Sequence, residues 1–201
     1  MTYSDTQPRG TLRYRLLSAS LRPSDSPLAD PGTWGHEYVR HLAAELGEEY
    51  TVRDQGLDEP VREDTGADHE DRLPGTIDDL RGLAKQCAVF LLGHNAEPDA
   101  VDLLEEMEIV DEIAQLVDDN TYGRVCQYMI RYVSHDDFPL PLIEPFSRCV
   151  SLLPPPDDIS FLRTAHNIYV QHHKFPEALA LAIRLGDPNL VREDFTAPGN
   201  P

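Results

Sequence analysis

The chain has 201 residues, 40% of them hydrophobic, so it is long enough to bury a sizeable core in one or two domains. Acidic side chains outnumber basic ones by 36 to 17, and the formal net charge is −19. This balance argues against nucleic acid as a partner, because phosphate binding needs clustered lysine and arginine. Basic protein surfaces are the partners that such a charge favours.

The cysteines and the N-terminus indicate where the protein works. Cys87, Cys126 and Cys149 are widely spaced, which indicates neither a zinc ribbon nor a secreted disulfide framework and favours a reducing compartment. No apolar run reaches the roughly 20 residues needed to cross a bilayer. The first residues also lack the charged-then-apolar pattern of a signal peptide. We therefore expect a protein of the cytoplasm and nucleus with no membrane partner.

The N-terminal part of the chain alternates between polar and apolar stretches. Residues 1–10 are polar and predicted to be flexible, and a helical domain is predicted over residues 11–195. Leucines in the segment LRYRLLS (12–18) predict a short first helix whose arginines face solvent. Three prolines among serine and aspartate predict a linker over residues 20–32.

The segment TWGHEYVRHLAAEL (33–46) predicts the central helix. Thr33 is the expected N-cap, and Gly47 is the expected end of the helix. Large apolar side chains recur every four residues, which predicts one face that is buried over its whole length: Trp34, Tyr38, Leu42 and Leu46.

The opposite face of this helix carries His36, Glu37 and His41, a grouping that suggests a metal site at first sight. Zinc helices use His-Glu-x-x-His, in which two histidines four residues apart lie on one side. Here the spacing is five residues, which turns His41 about 140° around the helix from His36. The spacing therefore favours surface or packing histidines over a metal site.

An acidic loop is predicted over residues 48–75, because the chain becomes rich in Asp, Glu and Gly and poor in large apolar residues. We expect this loop to be disordered. A calcium loop is the alternative, but no window supplies the alternating ligands, the glycine and the final glutamate of an EF-hand.

Helical periodicity resumes at Thr76, where Thr-Ile-Asp-Asp resembles a capping box. Glu97-Pro98 opens a further helix, a short helix follows around residues 109–117, and another covers residues 121–133. The residues expected on the buried faces are Ile77, Leu80, Ala84, Cys87, Leu91, Val101, Leu104, Met107, Tyr122, Val125, Cys126, Met129 and Val133. Cys126 is accordingly interpreted as a core residue rather than a nucleophile.

A Pro-rich insertion is predicted over residues 130–157, and flexible residues are predicted again at 196–201. Between them, helices are predicted from Asp158 to a tight turn at Lys174-Phe175-Pro176, from Glu177 to Leu185, and after Asp187-Pro188. Their expected buried residues are Ile159, Leu162, Ala165, Ile168, Tyr169, Ala178, Leu179, Ala182, Ile183, Leu190, Val191 and Phe195.

The fold class that these elements predict is all-α, with irregular antiparallel helical hairpins of the solenoid type. The chain has no nucleophile elbow, Walker loop, dinucleotide glycine pattern or zinc-protease motif. His172-His173 lies at a helix end, where a cation is favoured by the dipole. No catalytic, cofactor-binding or metal-binding residue is predicted, and the residues alone indicate a helical scaffold or adaptor.

Several segments of the chain resemble, in the same order, the N-terminal helical region of a known family, the largest non-ATPase scaffold subunits of the 26S proteasome regulatory particle base. The resemblance covers roughly residues 11–195 and looks most like a fungal-type member. It is carried by LRYRLL (12–17), WGHEYVRHLAAEL (34–46), GHNAEPDAVDLLEEMEIVD (93–111), RVCQYM (124–129), LLPPPDDISFLRTAHNIY (152–169) and FPEALALAIRLGD (175–187).

This resemblance implies a non-enzymatic subunit that holds the ATPase ring and docks shuttle factors with ubiquitin-like domains. In the family, further helices precede this region, and a toroid of helical repeats with the ubiquitin-like docking surfaces follows it. We therefore expect this chain to be a fragment without those surfaces, and no binding residue is transferred to it. An independent helical-repeat adaptor unrelated to the proteasome is the alternative.

The chain departs from the family at residues 130–148, which separate Met129 from Cys149 where the family has almost no intervening sequence. One hypothesis is a retained intron in the gene model, and the other is a lineage-specific surface loop. Sequencing of the transcript distinguishes the two hypotheses, because a spliced message would lack these codons.

Overall fold

A computed structural model describes residues 9–20, 30–55, 73–133 and 157–197 of the chain. Every regular element in these ranges is helical, which confirms the all-α class and is consistent with a helical solenoid. Short 3₁₀ segments cover Pro31–Trp34 and Val110–Gln115. The α-helices are α1 (Gly10–Ser20), α2 (His36–Asp54), α3 (Ile77–Gly93), α4 (Glu97–Glu106), α5 (Tyr122–Val133), α6 (Asp157–Gln171), α7 (Phe175–Leu185) and α8 (Pro188–Thr196).

The chain divides into two compact units. The first unit contains α1, the 3₁₀ turn Pro31–Trp34, α2, α3 and residues 102–108. The second contains residues 95–101, the 3₁₀ segment Val110–Gln115 and helices α5 to α8. Helix α4 is therefore shared, with its first half in the second unit and its second half in the first.

The core of the first unit forms around α2, against which α1, α3 and the 3₁₀ turn Pro31–Trp34 all pack. Val39, Leu42 and Leu46 of α2 are fully buried. Burial of each such side chain contributes roughly 1.5–3 kcal/mol. The facing residues from α1 and α3 are buried as well: Leu12, Leu16, Leu80, Ala84, Cys87 and Leu91.

The predicted N-terminal end of the central helix is wrong. Trp34 belongs to the 3₁₀ turn and is 48% exposed, so it does not extend the buried face of α2. Thr33 is not the N-cap either. Asp30 caps the 3₁₀ turn by accepting a hydrogen bond from the Gly32 amide, and Gly35, with φ of 92°, separates the turn from α2. A backbone conformation that glycine favours thus interrupts the periodicity.

The predicted helix end at Gly47 is also wrong, because α2 continues to Asp54. Residues 48–54 of the predicted acidic loop are helical, and residues 56–72 lie outside the described residues. Gly47 is buried, and a Cβ there would collide with the Glu106 carboxylate. The glycine therefore permits a close approach within the first unit rather than ending the helix.

The C-terminal half of α2 is held by a buried charge network. Glu49 is only 3% exposed, and its carboxylate accepts hydrogen bonds from Arg9 at 2.5 Å and from Arg53 at 2.7 Å. Arg53 also donates to the carbonyl oxygens of Leu73 and Gly75. The network therefore fixes the chain on both sides of residues 56–72 and links it to the residue before α1.

One arginine of α1 contradicts the prediction that the arginines of this helix face solvent. Arg15 is 6% exposed, and no hydrogen-bond partner for its Nη2 occurs among the described residues. Its positive charge lies close enough to Tyr38 and Cys87 to lower the pKa of each, against the larger effect of burial, which raises both. The helix thus turns an arginine inward, while Tyr14 and Leu17 remain exposed.

The start of α3 confirms the predicted capping box. The Asp79 amide donates to Thr76 Oγ1 at 3.2 Å, and the Thr76 amide donates to Asp79 Oδ2 at 2.7 Å. Hydrogen bonds from the backbone and side chain of Thr76 lower the pKa of Asp79. The box therefore stabilises α3 at neutral pH, and its contribution is lost as the pH falls through the lowered pKa.

The second unit is a chain of packed neighbours, in which α5 packs on α6, α6 on α7, and α7 on α8. Gly186, in the left-handed conformation with φ of 68°, ends α7, and the Asp187 side chain caps α8, which begins at Pro188 after the predicted Asp187-Pro188 break. Residues predicted to form the core are buried here: Val125, Cys126, Met129, Val133, Leu162, Ala165, Ile168, Tyr169, Ala178 and Ala182.

Three residues predicted to be buried in this unit are exposed. Ile159 is 42% exposed, Ile183 is 62% exposed, and Phe195 is 76% exposed. Leu181 and Asp194 are buried instead. The buried stripe of α7 is centred on Ala178, Leu181 and Ala182, which directs Ile183 away from the neighbouring helices of the unit.

The bounds of the Pro-rich insertion differ from the predicted range of 130–157. Helix α5 continues through Val133, and α6 begins at Asp157. Residues 134–156, which contain most of the predicted insertion and Cys149, lie outside the described residues.

Two glycines offer a matched test of the packing in the first unit. A Cβ on Gly32 would collide with the Phe90 ring, whereas a Cβ on Gly82, inside α3, meets nothing within 4 Å. We expect Gly32→Ala to destabilise the chain by about 1–3 kcal/mol through overpacking. Gly82→Ala should stabilise it by about 0.5–1 kcal/mol through helix propensity. Urea unfolding followed by circular dichroism measures both, and an equal effect of the two variants would contradict this packing.

Candidate functional site

The three residues that resemble a metal site do not converge. His36 is half-buried, and its ring lies 5.9 Å from that of Phe90 and 6.1 Å from that of His94. Glu37 and His41 are exposed. Nowhere in the described ranges do three or more His, Cys, Asp or Glu residues come together in a way that could hold a metal ion.

An exposed aromatic surface, formed by Tyr14, Trp34 and Tyr38, lies on the first unit. The Trp34 ring is 6.0 Å from that of Tyr14 and 5.2 Å from that of Tyr38. Tyr14 and Trp34 are both exposed, while burial raises the pKa of Tyr38. Trp and Tyr are enriched in the energetic centres of protein interfaces. The segment that carries the family resemblance therefore presents aromatic surface as well as core.

Two cysteines lie in the core. Cys87 and Cys126 are free and buried, and burial raises the pKa of each thiol to about 12. The Cys126 thiol donates to the Ala165 carbonyl oxygen at 3.7 Å. Because the thiolate is the nucleophilic form, neither residue is suited to catalysis at neutral pH. The interpretation of Cys126 as a core residue is confirmed.

Of the two histidines at the end of α6, His172 packs against other residues of the second unit. His172 stacks on Tyr122, with ring centroids 4.1 Å apart, and its Nδ1 lies 3.0 Å from Asp119 Oδ1. His173 has a positive φ of 57° in the turn before α7. His172 therefore joins the end of α6 to the start of α5 within the second unit.

A buried hydrogen-bonded pair, His166 and Asp194, joins α6 to α8 in the second unit. His166 Nε2 lies 2.8 Å from Asp194 Oδ2, and both side chains are 5% exposed. Nothing in the sequence pattern indicated this pair, because Asp194 lies between Val191 and Phe195, which were predicted to form the apolar face of α8. A buried carboxylate is retained only where it is paired or hydrogen-bonded.

A crevice of about 300 Å³ opens beside this pair, between α6 and α8. Val170, Phe175 and Leu190 supply apolar walls, and His166, Asp194 and Glu193 supply the ionisable groups. The second unit therefore offers a small, acidic, partly apolar site.

In the part of the chain that the structure describes, no helix is long and apolar enough to span a membrane.

Buried charge is also found where α4 begins. Glu97 is 4% exposed and accepts hydrogen bonds from Arg124, whose Nε lies at 2.6 Å. The sequence placed Glu97 at the start of a helix but gave no reason for its burial. Together with Glu49 and the His166–Asp194 pair, it is one of the charged residues that fix helices to one another.

These features define an all-α helical array with buried ionisable side chains and an exposed aromatic surface. The family model for the RPN1 N-terminal domain matches residues 1–139 and 144–201. The chain belongs to this family.

Relatives of known name agree with this assignment. The 26S proteasome regulatory subunit RPN1 of Candida glabrata is 42% identical over 206 residues and covers 100% of this chain. The corresponding subunits of Neurospora crassa and Schizosaccharomyces pombe are 42% and 37% identical and cover 98% and 100% of the chain. The match spans only 17–18% of the length of these relatives. The family resemblance drawn from the sequence is confirmed.

The buried thiols lead to a test of the core. In a Cys149→Ser variant, only Cys87 and Cys126 remain, and a pKa of about 12 leaves roughly one thiol in ten thousand ionised at pH 8. We expect the folded variant to resist Ellman's reagent and the urea-unfolded variant to react completely within minutes. Absorbance at 412 nm measures both rates. Reaction of the folded variant at the rate of a small free thiol would contradict the burial of these side chains.

Proposed function

We propose that this chain forms part of a non-catalytic scaffold subunit of the proteasome regulatory particle base, and that it acts in ubiquitin-dependent protein degradation through protein–protein contacts. The observation that carries this proposal is the match of nearly the whole chain to the RPN1 N-terminal domain. The relatives are named as regulatory subunits of the 26S proteasome, which suggests a non-catalytic role. The alternative of an adaptor unrelated to the proteasome is not favoured.

The proposed partners are the other subunits of the regulatory particle, including the ATPase ring. The aromatic surface supports this proposal, because exposed Trp and Tyr side chains are typical of contact residues. We propose that the protein works in the cytoplasm and the nucleus. Shuttle factors with ubiquitin-like domains would bind only through the repeat toroid that follows this region in the family.

Affinity purification tests the scaffold function. The full-length protein, tagged in its own organism, should co-purify with the regulatory particle and its ATPase subunits. Its absence from the particle would favour an independent adaptor. Trp34→Ala should reduce recovery of the ATPases, because the half-exposed ring contributes contact area rather than core packing.

Val89→Ala is the matched control for Trp34→Ala. Val89 is an exposed apolar residue of the same unit, on α3, and it is not part of the aromatic surface. Recovery should be unchanged for this variant. Equal losses of ATPase recovery for both variants would show that the aromatic surface is not part of the interface. Unchanged recovery with Trp34→Ala would lead to the same conclusion.

The 201-residue chain by itself should not bind ubiquitin-like domains appreciably, because the proposal assigns their docking to the family's repeat toroid and not to the N-terminal region that this sequence matches. An NMR titration of the labelled 201-residue chain with a ubiquitin-like domain measures this directly. We expect no saturable shift at millimolar concentrations. A clear saturable shift would show that docking does not require the toroid.

A further inference from the structure

We propose that the crevice between α6 and α8 binds the ammonium group of a lysine side chain presented by a basic segment of a partner protein. The crevice is lined by both members of the buried His166–Asp194 pair. This binding goes beyond the scaffold function and does not rest on it, because the crevice is complete within the second unit.

The Asp194 carboxylate is the proposed anchor. Its Oδ2 is engaged by His166 Nε2 at 2.8 Å. Its Oδ1 has no hydrogen-bond partner among the described residues. A carboxylate accepts several hydrogen bonds, so this oxygen remains available to a donor in the crevice.

The contact between His166 and Asp194 Oδ2 also determines which kind of cationic donor the site favours. A guanidinium binds carboxylates most strongly through two parallel hydrogen bonds, which need both oxygens. An ammonium is a compact charge that can use a single oxygen. Because His166 occupies one oxygen of Asp194, the site favours lysine over arginine.

The electrostatic surroundings favour a cation. Glu193, next to Asp194 in the sequence, lines the crevice and is exposed. The arginines of the same two helices, Arg163 and Arg192, do not line it. The net charge of −19 adds a long-range attraction for basic partners.

The walls and the size of the crevice suit the aliphatic stem of lysine. Val170, Phe175 and Leu190 offer apolar surface, and lysine buries its methylene groups along such surface while its charge reaches polar groups. The volume of about 300 Å³ is at the lower end of small-molecule sites and is large enough for one lysine side chain.

The test is an NMR titration of the ¹⁵N-labelled 201-residue chain with Nα-acetyl-lysine amide. We expect saturable shifts at the side-chain amides of Asn167 and Gln171, which line the crevice, with a Kd on the order of millimolar for so small a ligand. Acetyl-norleucine amide, which has a similar stem without the charge, should give no saturable shift. Acetyl-arginine amide should bind more weakly than the lysine compound.

Two variants distinguish the crevice from general attraction to an acidic protein. Glu193→Gln removes an exposed charge at the crevice and should weaken lysine binding about twofold to fivefold. Glu177→Gln removes an exposed charge on α7 that does not line the crevice, and it should have no effect. Asp194→Asn should abolish the saturable shift if the variant folds, and the Glu193 and Glu177 variants decide the matter if it does not.

Several results would overturn the proposal: no saturable shift with the lysine compound, equal binding of the norleucine compound, tighter binding of the arginine compound, or equal losses in the Glu193 and Glu177 variants. The titration uses the chain alone. Failure of the full-length protein to co-purify with the regulatory particle would therefore overturn the scaffold function and leave binding in the crevice standing.

Discussion

Burial of one face of α2 is the interaction on which the first unit depends. Val39, Leu42 and Leu46 are fully buried, and α1, α3 and the 3₁₀ turn Pro31–Trp34 all pack against this helix. Loss of that face would leave three elements without a common partner. A helix whose apolar face is a continuous stripe can hold neighbours on several sides, which is how helical arrays form cores without a sheet.

Buried charges supplement this apolar core at defined points. Glu49 joins Arg9 to Arg53, Glu97 holds Arg124, and His166 holds Asp194. Glu49 and Arg53 lie one turn apart in α2, but each of the other pairs connects residues that are distant in the sequence and fixes how two segments of one unit lie relative to one another. Burial of such pairs contributes little net stability, but removal of one partner leaves an uncompensated charge, so the paired arrangement is selected strongly over alternatives.

The sequence was sufficient to predict the structure where residues close together in the chain determine it. Thr76 and Asp79 lie three residues apart and form the predicted capping box, and Gly186 with Asp187 ends one helix and begins the next. It was insufficient where a neighbour decides. Gly47 resembles a helix end, but α2 continues through it to Asp54, and the Glu106 carboxylate lies against the glycine. Trp34 continues the periodicity of α2, yet Gly35 ends the preceding turn and leaves the ring exposed.

The same distinction explains why the crevice could not be predicted. His166 and Asp194 are 28 positions apart, and each lies in a pattern that local periodicity assigns to an ordinary helix. Their pairing depends on how α7 returns the chain to α6, a tertiary arrangement that no spacing rule encodes. Once α8 is in place, Asp194 is directed inward and Phe195 outward. The burial of a charge and the exposure of an aromatic ring at adjacent positions thus have one cause, the orientation of α8 on its neighbours.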